Sequence, residues 1–237
     1  MIEFVVLSVR NGLVIPSKMT EFILASQSPR RQMLLRNLLD RFIVVGSDIE
    51  ERDLPGEQPS QYVLRLATEK AQSVEKKLKE SSIEDLIIIA ADTIVLDDDK
   101  LLGKPEDARD ARKILNRLNG KTHQVLSGIT VYKPSVQILN SQVVCSDVPM
   151  RDYDDQEIQE YINSGDPFDK AGAYAIQNDI FNPAPEFADC YANVMGLPLC
   201  HLALLLAEVG MDLDRSVANR CQNSINYQCP VFRSILY

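Results

Sequence analysis

The chain has 237 residues, enough for one large domain or for two lobes sharing a sheet. Hydrophobic content of 45% and charged content of 25% are ordinary for a soluble globular protein. The net charge of −9 repels a polyanion, which sets aside long nucleic acid as a partner but leaves room for a small anion in a local positive pocket.

Five cysteines occur, Cys145, Cys190, Cys200, Cys221 and Cys229, with no C-x-x-C pair. With only two histidines, a structural zinc site is not expected, and reduced thiols in a cytoplasmic protein are the simplest reading. No apolar run approaches the roughly 20 residues of a membrane span. The first residues are apolar but carry Glu3 and no basic start, so they do not read as a signal peptide.

Along the chain, residues 1–20 read as an added strand or a loose arm. Phe22-Ile23-Leu24-Ala25 reads as a buried strand, broken at Ser26-Gln27-Ser28-Pro29 and followed by a helix with Met33, Leu34 and Leu38 on one face. Residues 42–45 form a second short strand. Ser60 suits the N-cap of a helix over 61–80. Leu86-Ile87-Ile88-Ile89-Ala90-Ala91 is apolar on both faces, hence a central strand, and it continues through Ile94-Val95-Leu96. Asp97-Asp98-Asp99-Lys100 reads as a solvated hairpin turn. A helix over 106–118 follows, with Glu106 and Asp107 in its first turn. Two β segments, 122–132 and 137–150, come next and place His123 on a strand. A short helix spans 154–163, a structured loop region 166–197, and a last helix, holding His201, 198–209. The tail after Asp214 reads as polar and irregular. Strands alternating with helices define an α/β class.

The turns carry the chemistry. At Ser28-Pro29-Arg30-Arg31 a helix begins with exposed backbone N–H groups and the positive end of its dipole, a natural anion site. Ser28 suits the N-cap and Pro29 the first helical position. Paired arginines there either meet a bound anion, which arginine's planar fork grips in a bidentate way, or point into solvent. Asp92, next to an apolar strand core, is costly to bury unless paired or functional, and ligand sites of open α/β sheets lie at strand ends. Taken singly, Lys70 in Arg65-Leu66-Ala67-Thr68-Glu69-Lys70-Ala71 reads as a solvated surface lysine, and Lys104, held in the tight turn Gly103-Lys104-Pro105, reads equally as a surface lysine or a functional one. Ala171-Gly172-Ala173-Tyr174-Ala175-Ile176-Gln177 suits a close-packed wall against a flat ligand.

In order, LASQSPRR, RLATEKA, AADT, GKP, SGITVY, YINSGDPFDKAGAYAIQ and YANVMGLPL resemble the Maf family of nucleoside triphosphate pyrophosphatases, over about residues 21–209. The resemblance implies an elongated mixed sheet with flanking helices and two lobes around a cleft, a Maf/ITPase-like fold, often as a homodimer. It implies a catalytic domain over 21–210 between an N-terminal extension, 1–20, and a C-terminal tail, 211–237. The implied reaction splits a nucleoside triphosphate between its α and β phosphates, with Mg²⁺ or Mn²⁺. Ser28, Arg30 and Arg31 would hold the triphosphate, Lys70 and Lys104 would neutralise phosphate charge, and Asp92 would accept the proton of the attacking water. Glu51 would help hold the metal, with Glu50 the one-off alternative. Arg30, Thr93 and Gln177 resemble the branch acting on dTTP and UTP more than the branch preferring 7-methyl-GTP. A Gln177 amide can meet the donor–acceptor edge of a uracil or thymine ring. The competing readings are a non-catalytic nucleotide-binding regulator of cell division and a purine-directed enzyme on the same scaffold. The run after Gln177 departs from the family's usual glycine-containing stretch.

Overall fold

The structure, a computed structural model, describes residues 7–10, 13–16, 20–79 and 85–237. Most of residues 1–20 therefore lie outside it. Within them two short strands, β1 (Leu7–Arg10) and β2 (Leu13–Pro16), pair antiparallel with each other.

The main sheet has six strands: β3 (Glu21–Leu24), β4 (Ile43–Val44), β5 (Leu86–Asp97), β6 (Lys100–Leu102), β7 (Thr122–Lys133) and β8 (Ile138–Pro149). Their order is β4-β3-β5-β7-β8, with β6 also against β5. The β4–β3–β5 pairs are parallel and the rest antiparallel. β5 is the central strand that its apolar run predicted. Ile87, Ile89 and Ala91 enter one core cluster, while Ile88 and Ala90 enter another on the opposite face.

One face is covered by the helix α2 (Pro59–Leu78), after α1 (Pro29–Leu35) has crossed to the other. α2 lies so close that a Cβ on Gly128 of β7 would sit 2.3 Å from the Val63 carbonyl oxygen, so only glycine fits there. The second face carries α1, α3 (Ala108–Leu118), α4 (Asp155–Asn163) and, after the short α5 (Tyr191–Val194), α6 (Leu199–Glu208).

Several local expectations change. Leu34 and Leu35 are fully buried whereas Met33 is exposed, because α1 is only two turns long and seats those two positions on the sheet. α2 starts at Pro59, ahead of Ser60, and Gln61 accepts a hydrogen bond from the Gln58 backbone N–H at 3.1 Å. Asp107 is the N-cap of α3, its carboxylate accepting from Asp110 N–H at 2.8 Å. Asp97 is buried rather than solvated. It ends β5 and pairs with Arg117 Nε at 2.5 Å, leaving Asp98 and Asp99 as the turn.

The tail after Asp214 is not irregular. It forms α7 (Val217–Ile225) and α8 (Phe232–Leu236), and Val217, Ala218, Cys221 and Leu236 join the main core. The signal was a sparse apolar spacing at 217, 221 and 225, one position per turn among polar residues, which is readable only once a surface exists to receive it.

Candidate active site

The cleft follows from strand lengths. β3 pairs with β5 only as far as Leu24↔Ile89, and β6 joins the same edge at Val95↔Leu102. Between those registers residues 90–94 of β5 have no strand beside them on that edge among the described residues, although β7 still pairs along the other. The gap opens into a cavity of about 810 Å³. Six lysine and arginine side chains and four carboxylates line it, a local excess of positive charge in an acidic protein. Every residue marked by the sequence lines this one cleft: Ser28, Arg30, Arg31, Glu51, Lys70, Asp92, Thr93, Lys104 and Gln177. Glu50, the alternative to Glu51, does not line it and pairs instead with Arg52 at 3.7 Å.

Strand alternation sends two adjacent residues to opposite faces of the sheet. Asp92 shares the face of Ile88 and Ala90, toward α2, and Thr93 shares that of Ile87 and Ala91. Toward α2, Lys70 is 7% exposed and places Nζ 2.6 Å from Asp92 Oδ1 and 2.6 Å from Glu51 Oε1. A buried cation is tolerated because it is doubly paired. Burial pushes the Glu51 carboxyl up, but the Lys70 hydrogen bond and charge outweigh it, helped by Lys104 and Arg31, and hold it below the usual carboxylate range. Asp92 Oδ2 has no protein partner among the described residues, which leaves a carboxylate oxygen free at the cleft wall.

On the opposite face Arg31 is anchored three times. Nε donates to the Gly196 carbonyl at 2.9 Å, Nη1 to Ser26 Oγ at 3.3 Å and Nη2 to Thr93 Oγ1 at 3.0 Å. Guanidinium has five N–H groups, so each terminal nitrogen keeps one without a protein partner among the described residues. Burial pushes this guanidinium down from its ordinary range; Asp92 and Glu51 oppose that, while Arg30 adds to it. Ser28 caps α1 from the cleft side, its hydroxyl accepting from Arg31 N–H at 3.5 Å. Arg30 reaches across to Asp169 at 3.7 Å.

Lys104 is exposed, and its turn is fixed from behind by the hydrogen bond from Gly172 N–H to the Gly103 carbonyl at 3.1 Å. It has no ion pair among the described residues. Gln177 is half-buried, with no side-chain partner among the described residues. Sequence reasoning missed Lys170, which also lines the cleft, because it reads as one more charged residue in a loop. It is 7% exposed and spends its three protons on the Asp166 carbonyl at 2.6 Å and on the Asp166 and Asp169 carboxylates at 2.9 and 2.5 Å.

Beneath the cleft wall, His123 is 2% exposed and its Nε2 lies 2.9 Å from the Tyr174 hydroxyl. Burial pushes its pKa down from 6.5 to about 4, against the weaker pull of Asp97 and Asp147. Between those values the unfolded chain binds a proton that folded His123 does not, so stability falls as pH drops through that window. The expected loss is about 3 kcal/mol by pH 4, measured by urea unfolding at a series of pH values, and it flattens in His123→Gln.

The chain matches the Maf-like protein family over residues 21–209, and it belongs to that family. Among curated relatives, the dTTP/UTP pyrophosphatase of Clostridium tetani (strain Massachusetts / E88) is 42% identical over 195 residues, 81% of this chain and 99% of that protein. That of Clostridium botulinum (strain Kyoto / Type A2) is 39% identical over 196 residues, 82% of this chain and all of the relative. The dTTP/UTP pyrophosphatase of Citrifermentans bemidjiense is 40% identical over 193 residues, 81% of this chain and 97% of the relative. Among solved structures, a nucleoside-triphosphatase / dITP/XTP pyrophosphatase from Mycobacterium abscessus aligns at 15% identity and a TM-score of 0.35, over 56% of this chain and 73% of that one.

Proposed function

We propose that this chain is a nucleoside triphosphate pyrophosphatase that hydrolyses dTTP and UTP to the monophosphate and pyrophosphate, clearing such nucleotides, modified pyrimidines included, from the pool. The observation that carries the reading is the convergence of a free carboxylate oxygen on Asp92, the doubly paired Lys70 and the two spare N–H groups of Arg31 on one cleft. The names of the relatives favour the pyrimidine substrates.

In this reading the triphosphate lies along α1's N-terminus, with Arg31's remaining N–H groups and Arg30 on its oxygens. Asp92 Oδ2 takes the proton of the water that attacks the α-phosphorus. As that bond forms, negative charge moves onto the leaving pyrophosphate. Lys104, exposed at the rim, and Lys70 with its remaining N–H stabilise that charge. The Gln177 amide reads the base edge and Ser28 holds the turn.

The donor set fits a divalent cation shared with substrate. Two carboxylates, Glu51 and Asp92, meet at one ammonium, and no cluster of three His, Cys, Asp or Glu side chains arranged for a metal exists among the described residues. Mg²⁺ and Mn²⁺ are commonly held by one or two carboxylates plus phosphate oxygens, so Glu51 is the residue assigned to such an ion. When bound, it would neutralise phosphate charge.

The reading takes residues 21–210 as the catalytic domain. It takes a homodimer from the family resemblance, and a cytoplasmic setting from five free cysteines. No helix among the described residues is long and apolar enough to cross a membrane.

Pyrophosphate release from dTTP, UTP, CTP, 7-methyl-GTP, GTP and ATP, with Mg²⁺ and with Mn²⁺, tests the reading. Release from dTTP and UTP is expected at least about 100-fold above the purines in kcat/KM. Tight nucleotide binding with no release from any would leave a non-catalytic regulator.

A further inference from the structure

Two stretches of the family resemblance, SGITVY and YANVMGLPL, carry no role in the chemistry above. Both end at Arg31. Thr93 and Ser127 are direct cross-strand partners in the β5–β7 ladder, and their hydroxyls lie 2.9 Å apart. Ser127 is fully buried and donates to the Asn193 carbonyl at 3.1 Å. Asn193, also fully buried, is fixed by its amide, which donates to the Val125 carbonyl at 3.1 Å and to Ser146 Oγ at 3.0 Å. The same turn brings Gly196, at φ +104, to present its carbonyl to Arg31 Nε. A Cβ at 196 would stand 3.3 Å from both Arg31 Nε and Thr93 Oγ1.

Counting protons fixes the direction of this chain. Each hydroxyl has one hydrogen. Ser127 spends its own on the Asn193 carbonyl, so it accepts from Thr93. Thr93 has then spent its own on Ser127, so toward Arg31 it acts as acceptor. The result is one polarised relay, Arg31 N–H to Thr93, Thr93 O–H to Ser127, Ser127 O–H to a backbone carbonyl. Such buried chains strengthen each member and resist reorientation.

We infer that Ser127 and the Asn193–Gly196 turn are positioning residues for Arg31, and that Thr93 influences the substrate through that arginine rather than by contact with the base. The inference rests on the reading of Arg31 as a phosphate ligand. Thr93 then acts on the triphosphate that all these nucleotides share, by setting where a guanidinium meets phosphate oxygens.

The test uses the full chain and inorganic tripolyphosphate, which has no base. Its dissociation constant is measured by calorimetry for the wild type, Ser127→Ala, Thr93→Val and Thr93→Ser, beside KM and kcat for UTP and GTP. Ser127→Ala and Thr93→Val are expected to weaken tripolyphosphate about 10-fold, the loss of one buried hydrogen bond. KM should rise by the same factor for UTP and GTP alike, with their ratio unchanged. Thr93→Ser, which keeps the hydroxyl, should stay within about 3-fold of wild type. A merely unstable variant would lower the active fraction and leave the dissociation constant in place.

Unchanged tripolyphosphate binding in both hydroxyl-removing variants overturns the inference. So does a shifted UTP-to-GTP ratio in Thr93→Val with tripolyphosphate affinity intact, because Thr93 would then read the base. Wild-type protein that binds tripolyphosphate and loses it in these variants, yet hydrolyses no nucleotide, would refute the enzymatic reading and support the inference. Wild-type protein that hydrolyses UTP yet does not bind tripolyphosphate overturns the inference and leaves the enzymatic reading standing.

Discussion

Asp92→Asn is expected to lower kcat for UTP by about 10³-fold while leaving nucleotide affinity within a few-fold of wild type. The amide keeps the size of the carboxylate and retains an oxygen that can accept from Lys70 Nζ, now 2.6 Å away, so the local packing persists. It cannot take a proton from water. The loss therefore falls on the chemical step, and single-turnover hydrolysis beside equilibrium binding separates the two. Hydrolysis at near wild-type rate in this variant would remove Asp92 from the role of proton acceptor. A parallel collapse of binding would instead make it a structural partner of Lys70.

The second large effect is on stability. Lys70→Met replaces a buried ammonium with an apolar side chain of similar length and strands Asp92, 6% exposed, without its cation. Removing one member of a buried pair costs about 3–5 kcal/mol, because the remaining charge is left desolvated and unpaired. For a chain of this size that lowers Tm by about 10 °C. Glu51, half exposed, turns to water and contributes little of the loss. Adding Asp92→Asn to Lys70→Met should restore most of the lost stability, since the stranded charge is gone, and a double-mutant cycle by urea unfolding measures the recovery. If the double variant is as unstable as the sum of the singles, the penalty comes from packing around the Lys70 stem and not from the ion pair. Turnover should remain abolished in the double variant whatever its stability, because Asp92→Asn alone removes the proposed proton acceptor.

The sequence alone determined the class of fold, the central strand and a set of residues that the structure gathers in one cleft. An apolar run with a carboxylate at its end, a helix start loaded with arginines, and short lysine-bearing turns are local patterns, and local patterns are set by neighbours a few residues away. The pairing of Lys70 with Asp92, 22 positions apart, and of Arg31 with Gly196, 165 apart, belongs to tertiary structure. So does the cleft, which exists because β3 stops at Leu24 and β6 ends at Leu102 beside Val95, lengths that only the assembled sheet compares. Thr93 illustrates the division. Its place after Asp92 was visible in the sequence, and period-2 alternation puts neighbouring strand residues on opposite faces. What its hydroxyl touches depended on a cross-strand serine and a turn from the far end of the chain. The same holds for the C-terminal tail. Its few apolar residues are too sparse to announce helices, and they fold because α6 receives them and they join the main core. Sequence periodicity records which residues seek burial, and the tertiary structure decides which partners they find there.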